Sequence, residues 1–395
     1  TTQSNNTAVG FKAGEDSTAS DGTFIGYKAG SKVTGAGNLA IGKDALTAQA
    51  SGTYSLAIGH GVLQHSVDGT YNIGIGYGAM SDWDVGGGTS TTVDGSSHNT
   101  MIGVNAGGGA WTNVQSNNNV AIGNYSMDDA LAGAVDNIAI GVHSLGVLTT
   151  GDRNVAIGYG AGGASADVDK VVLIGYNAGA GGNMTSDADG TIAIGEHAGY
   201  ALTSGRYNTA IGFQALFAED DGDKNTAVGY KALQAQTGTS GDVNNTAVGY
   251  HAGLAITTGV NNTALGSGAL VSNVDGSNNV AVGSHSLYTF EASSGGDGCN
   301  TAVGANSGYL VSTGQDNVLI GENAGWINSG TSLTTGSGNT LVGYQAAIGA
   351  AGGANRTAIG KGVTAQADNS VTLGNADVTA VYMGEDSGAR IFAER

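Results

Sequence analysis

A five-residue phrase, Asn followed by Thr or an aliphatic residue, Ala, an aliphatic residue and Gly, recurs along all of this 395-residue chain. "NVAIG" at 119–123, "NTAVG" at 245–249 and "NTALG" at 262–266 are three copies. The phrase glycine falls at Gly10, Gly26 and Gly42 and continues to Gly374, giving 21 copies, most of them 16 or 17 residues apart. A fixed short period means a solenoid, because each unit buries its apolar face only by stacking on its neighbours. The step from Gly76 to Gly103 is longer and holds "SDWDVGGGTSTTVDGSSHN", an inserted loop that leaves the register on either side intact.

Within a unit the period is two, so each phrase reads as a strand. Val120 and Ile122 point one way while Ala121 and Gly123 point the other. The residue before the glycine is Val, Ile or Leu in every copy, which assigns that side to the dry interior of the coil. Val9, Ile122, Val248 and Leu373 are the expected solenoid core. The opposite side is held small, with Ala121, Gly123, Ala247 and Gly249 as examples. Small residues let a second backbone approach closely, which makes these positions a candidate subunit interface. They also ease tight coil turns, and both readings stand. Asn6, Asn38, Asn154, Asn225, Asn279 and Asn317 precede strands, where Asn bonds turn backbone and tolerates a left-handed conformation. Stacked coils would raise them into an amide ladder.

Composition agrees with a repeat protein. The chain has 72 Gly, no Pro and only 11% charged residues, which suits a parallel ladder that needs every backbone donor. Its 40% hydrophobic content, placed at regular intervals, is enough to bury a core and argues against disorder. A formal charge of -19 leaves no basic groove for nucleic acid or an anionic membrane surface. No apolar run reaches the roughly 18 residues of a membrane helix, so membrane insertion is not expected. The single Cys299 cannot form an intrachain disulfide, so stability must come from packing and assembly.

Catalytic and metal constellations find little support. His60, His143, His197, His251 and His285 follow the phrase glycine by one or two residues, which makes a spread row of turn positions rather than a converging metal site. No Ser, His and Asp arrangement stands out, and Gly-rich phrases without a βαβ unit carry no meaning. Acids are scattered in turns, whereas a glycosidase needs two carboxylates flanking a groove. The chain is therefore not expected to be an enzyme or to hold a cofactor. The Asp-rich turns "DADG" (187–190) and "EDDGD" (219–223) offer a weak Ca²⁺ signal that lacks the bidentate acid of an EF-hand loop. Aromatics recur after the glycine at Phe11, Tyr27, Tyr77, Tyr159, Tyr176, Phe213, Tyr230, Tyr250 and Tyr344, where stacking between coils is favoured over sugar binding. Trp83, Trp111 and Trp326 lie outside the phrase and are the candidate receptor contacts, because exposed Trp is common in binding hot spots.

The phrase "NxVAIGxxAxA" resembles the parallel β-roll repeats of trimeric autotransporter adhesin heads and of bacteriophage tail fibres, over residues 5 to 374. The final step, "AIGKGVTAQADNSVTLG" at 358–374, comes closest to the adhesin spacing. "NSVTLGNADVTAVYMGEDSGARIF" at 369–392 resembles the tail-fibre segment that can precede a self-cleaving chaperone domain. The resemblance implies an extracellular fibre, on a virion tail or a cell surface, built as a homotrimer of parallel solenoids. It also implies attachment to a host glycan or protein receptor. The expectation is thus an all-β parallel β-solenoid (β-roll) of about 21 short repeats over 1–374, with 375–395 a C-terminal segment. Its expected function is that of a phage tail fibre in host attachment. A bacterial trimeric surface adhesin or an extracellular filament subunit is the alternative, and a polysaccharide-degrading tailspike stands behind both.

Overall fold

The computed structural model describes residues 4–47, 51–65, 68–81, 95–109, 111, 114–238, 241–292, 296–327 and 330–381. The fold is an all-β parallel β-solenoid of about 20 turns. No helix among the described residues is long and apolar enough to cross a membrane. The chain divides into two compact units, Thr1–Val243 and Asn244–Arg395. In the first, phrase copies form three-residue strands from Thr7–Val9 to Thr226–Val228; in the second they run from Thr246–Val248 to Ser370–Leu373.

Within each unit, successive strands pair in parallel with no slip. Val120, Ala121 and Ile122 sit beside Ile138, Ala139 and Ile140, and Thr246, Ala247 and Val248 sit beside Thr263, Ala264 and Leu265. Like therefore stacks on like. Across the long insertion the register also holds, since Ile73, Gly74 and Ile75 pair with Thr100, Met101 and Ile102.

The period of two is present, but its inner and outer faces are the reverse of the sequence expectation. Ala121 and Ala247 are fully buried, with 0% exposure. Of the expected core, Val9 is 58% and Leu373 44% exposed, and Ile122 and Val248 are half-buried on the outside of the coil. The physical reason lies in the turns. Four residues after the phrase glycine, Leu46, Leu63, Met127, Leu145 and Leu216 reach the interior and are buried, from backbone held at φ 46 to 53°. A left-handed residue costs about 1–2 kcal/mol, which burying a Leu side chain, at about 1.5–3 kcal/mol, offsets. Those coils are filled from the turn, so the strand opposite must be small.

Size is exchanged between those two positions. Where the strand centre is large (Phe24, Met101, Leu173, Leu319), the turn position is Gly30, Gly107, Gly179 and Gly325. A Cβ on Gly107 would lie 2.9 Å from the Met101 sulfur, and one on Gly179 2.9 Å from Leu173 Cδ2. In these coils the two positions trade volume, as close packing requires. Where both are small, as at Ala193 with Gly199 and Ala247 with Gly253, the buried Leu202 and Ile256, seven residues after the phrase glycine, reach the interior instead. The Gly123 and Gly249 positions have an intrachain cause too. Gly249 has φ +142°, and a Cβ there would come within 2.6 Å of the Gly266 carbonyl oxygen on the next coil. The close backbone approach read as a subunit contact is the stacking of the chain on itself.

A buried amide ladder runs beside the strands. Asn119 Nδ2 donates to Asn99 Oδ1 at 3.2 Å, Asn137 Nδ2 to Asn119 Oδ1 at 3.0 Å and Asn154 Nδ2 to Asn137 Oδ1 at 2.9 Å. The second proton of Asn137 goes to the Gly151 carbonyl at 2.7 Å, while its backbone N–H donates to Asn119 Oδ1 at 3.1 Å. The second unit repeats the pattern from Asn279 through Asn300 and Asn317 to Asn339. The left-handed residue is the one before the ladder Asn, as at Asn118 (φ 60°) and Asn261 (φ 58°).

Gly249→Ala should destabilise the protein by roughly 2–5 kcal/mol, combining backbone strain with overpacking. Gly362→Ala is the control: its φ is +61° but a Cβ would meet nothing within 4 Å, so the loss should stay near 1 kcal/mol. Equal urea midpoints for the two variants would contradict the stacking account.

Candidate functional site

Every phrase leaves two residues on the outside of its strand, and stacking turns them into two columns. One column carries Thr7, Thr23, Leu39, Val120 and their equivalents; the other carries Val9, Ile25, Ile41, Ile122 and theirs. No charged residue occupies either column in the 21 copies, in a chain whose formal charge is -19. Exposure is substantial: 38% at Ile138, 36% at Ile140 and 45% at Leu265. In each unit the result is a regular, uncharged sheet face of Thr, Val, Ile and Leu open to solvent.

Aromatic rings border this face. Phe11 stacks on Tyr27 with centroids 5.6 Å apart, Tyr159 on Tyr176 at 5.3 Å and Phe213 on Tyr230 at 5.2 Å, all within 13° of parallel. The rings cover one another's faces, which leaves their edges to solvent and favours a packing role over sugar stacking. A second row, missed in the sequence, lies on the other border, where Tyr54 stacks on Tyr71 and Tyr71 on His98.

The tryptophans do not converge. Trp111 is only 5% exposed and donates its Nε1–H to the Gly107 carbonyl at 2.9 Å, so it is a packing residue and not a receptor contact. An indole can close off a coil when its one polar atom finds a partner. Trp326 is half-buried and leans on Tyr309, with centroids 5.2 Å apart. Trp83 lies outside the described residues.

Histidines in the left-handed turn position enter the ring rows; Tyr125 and His143 are stacked at 5.2 Å, and His197 meets Tyr200 edge-on. Among the described residues, Glu219, Asp220 and Asp221 form the one group of three acids or imidazoles that could reach a common ion. Glu219 is fully buried, and its Oε1 accepts N–H bonds from Gly222 at 2.8 Å and from Asp220 and Gly238 at 3.1 Å. That carboxylate clamps its own loop to the next coil. The "DADG" acids are paired as well, Asp189 with Lys170 at 2.7 Å and Asp187 with Arg206 at 3.2 Å.

Burial pushes the Glu219 carboxyl above its ordinary value of 4.5, against the opposing pull of its three N–H donors. A raised folded-state pKa means that this group's contribution is full below about pH 4.5 and is lost as pH rises through the folded value. Glu219→Gln should therefore flatten the decline in stability above about pH 4.5, read from urea midpoints between about pH 4 and pH 8. A variant curve parallel to the parent's would contradict the assignment. No family model matches the chain, and no curated protein matches it in sequence.

Proposed function

We propose that this chain is a structural and adhesive fibre subunit that associates with copies of itself through the outer sheet face. The observation that carries the reading is the pair of uncharged, largely β-branched columns left open on each unit. Transfer energies put a whole Val or Ile side chain at about 60–120 Å², so each half-buried one leaves on the order of 30–60 Å² exposed. The first unit alone carries strands enough to offer on the order of 800 Å², the share of one partner in a standard interface. An apolar patch of that size on a soluble chain marks an interaction surface.

The resemblance of the repeats to adhesin heads and tail fibres favours three copies, and that of residues 369–392 favours a phage tail fibre in host attachment. On this reading the protein is extracellular, on the virion tail, and its work is assembly and binding rather than catalysis. The same face would serve a bacterial surface adhesin or an extracellular filament equally well. Assembly through this face replaces the interface expected at Ala121 and Ala247, which are interior.

Light scattering or sedimentation across a dilution series is expected to give a three-chain mass for the parent. Ile122→Asp combined with Ile140→Asp should yield a single-chain mass with the strand circular dichroism retained, because the charges sit on an outer surface. Ala247→Asp should instead unfold its unit, since an unpaired buried charge costs several kcal/mol. A parent that is monomeric at every concentration, or a double variant with unchanged mass, contradicts the proposal.

A further inference from the structure

The cations of this acidic chain are unevenly placed. Four of its 13 Lys and Arg residues, Lys12, Lys28, Lys32 and Lys43, fall in the first four coils, and the next is Arg153. Three of them line an open cavity of about 430 Å³ whose walls also carry Glu15, Asp16 and Asp44. The cavity runs from the coil of Lys12 to the coil of Gln64, about 14 Å at the spacing of stacked strands. Lys12 is held by Glu15 at 2.9 Å. The Lys28 ammonium lies over the Tyr27 ring, 5.4 Å from its centroid, and neither Lys28 nor Lys32 forms an ion pair among the described residues. Two ammonium groups with no carboxylate partner among the described residues thus face a cavity that also presents carboxylate, hydroxyl and amide acceptors.

We propose that this cavity binds a linear glycan bearing carboxylates. Lys28 and Lys32 would take the carboxylates through charge-assisted bonds. Asp16, Asp44 and Gln64 would accept from the sugar hydroxyls. The mixture of signs is the discriminating feature. A uniform polyanion such as nucleic acid would meet three carboxylates and the field of an acidic chain. A small anion would fill one coil's width and leave the rest of the cavity empty. A hydroxyl-rich chain with intermittent negative charge uses both sets of groups. The inference gives a chemical class to the adhesive half of the proposed function and rests on it, but binding here needs no particular oligomeric state.

The test is isothermal titration of the full chain with tetragalacturonate and, separately, with neutral cellotetraose. The parent is expected to bind tetragalacturonate saturably and cellotetraose at least tenfold more weakly. Lys28→Glu with Lys32→Glu should weaken tetragalacturonate binding by tenfold or more. Lys231→Glu with Lys361→Glu, the same charge change elsewhere, should alter it less than threefold. Thermal melting of both variants checks that they fold; if the first pair does not, Lys28→Gln with Lys32→Gln is titrated in its place. Absence of saturable binding at millimolar tetragalacturonate overturns the proposal, as does equal binding of cellotetraose or equal loss in both variant pairs. None of these outcomes bears on the mass measurements that test self-association.

Discussion

A buried ladder of asparagine amides fixes how each coil sits on the next. An amide has two donor protons and two acceptor lone pairs. In the ladder, Asn137 uses both protons, to Asn119 Oδ1 and the Gly151 carbonyl, and its own Oδ1 receives both the backbone N–H and the side-chain N–H of Asn154. A coil displaced by one residue would strand these groups without water, at about 1–3 kcal/mol for each. The ladder thereby fixes register, and register places Ala over Ala and Gly over Gly. It tolerates local replacement: Val171 keeps the backbone bond to Asn154 Oδ1, and Thr191 donates its hydroxyl to the Gly205 carbonyl. In the second unit Arg356 takes the position after Asn339, with its guanidinium on Asp368 at 2.8 Å.

With register fixed, the interior admits at most one large side chain per coil at the paired strand and turn positions. Ala139 with Leu145 and Leu173 with Gly179 are two solutions of the same volume problem. The outward columns are released from that problem and carry whatever suits a flat surface, which is Thr, Val, Ile or Leu in all copies. Both consequences follow from one ladder, and the second supplies the surface through which we propose that the chains associate.

The solenoid, its strands and the Asn ladder were legible in the sequence because each rests on a period. Which face points inward was not, because alternation gives two faces without a sign. Val and Ile before the glycine are the stronger hydrophobes, and the assumption that the stronger side is dry failed once the turn's Leu46 and Leu145 took the interior. A usable signal was present: the outer column admits Thr at Thr23, Thr209 and Thr263, while the strand centre takes Phe24, Met101 and Leu319 and turns polar only at Thr372, in the last strand. The Trp111 assignment failed for a related reason, since a Trp between phrases can be the plug of a coil. The cavity beside Lys28 and Lys32 was invisible because its walls come from residues one coil apart, which only the stacking brings together.

The side-chain amides of the phrase asparagines lie sealed from water. Selective ¹⁵N labelling of Asn, with hydrogen exchange of the side-chain amides, measures that seal. Asn137, Asn154, Asn300 and Asn317 should exchange many orders of magnitude more slowly than the exposed Asn5 and Asn118, and only through opening of the coil. Ladder amides that exchange as fast as those of Asn5 and Asn118 would contradict the account.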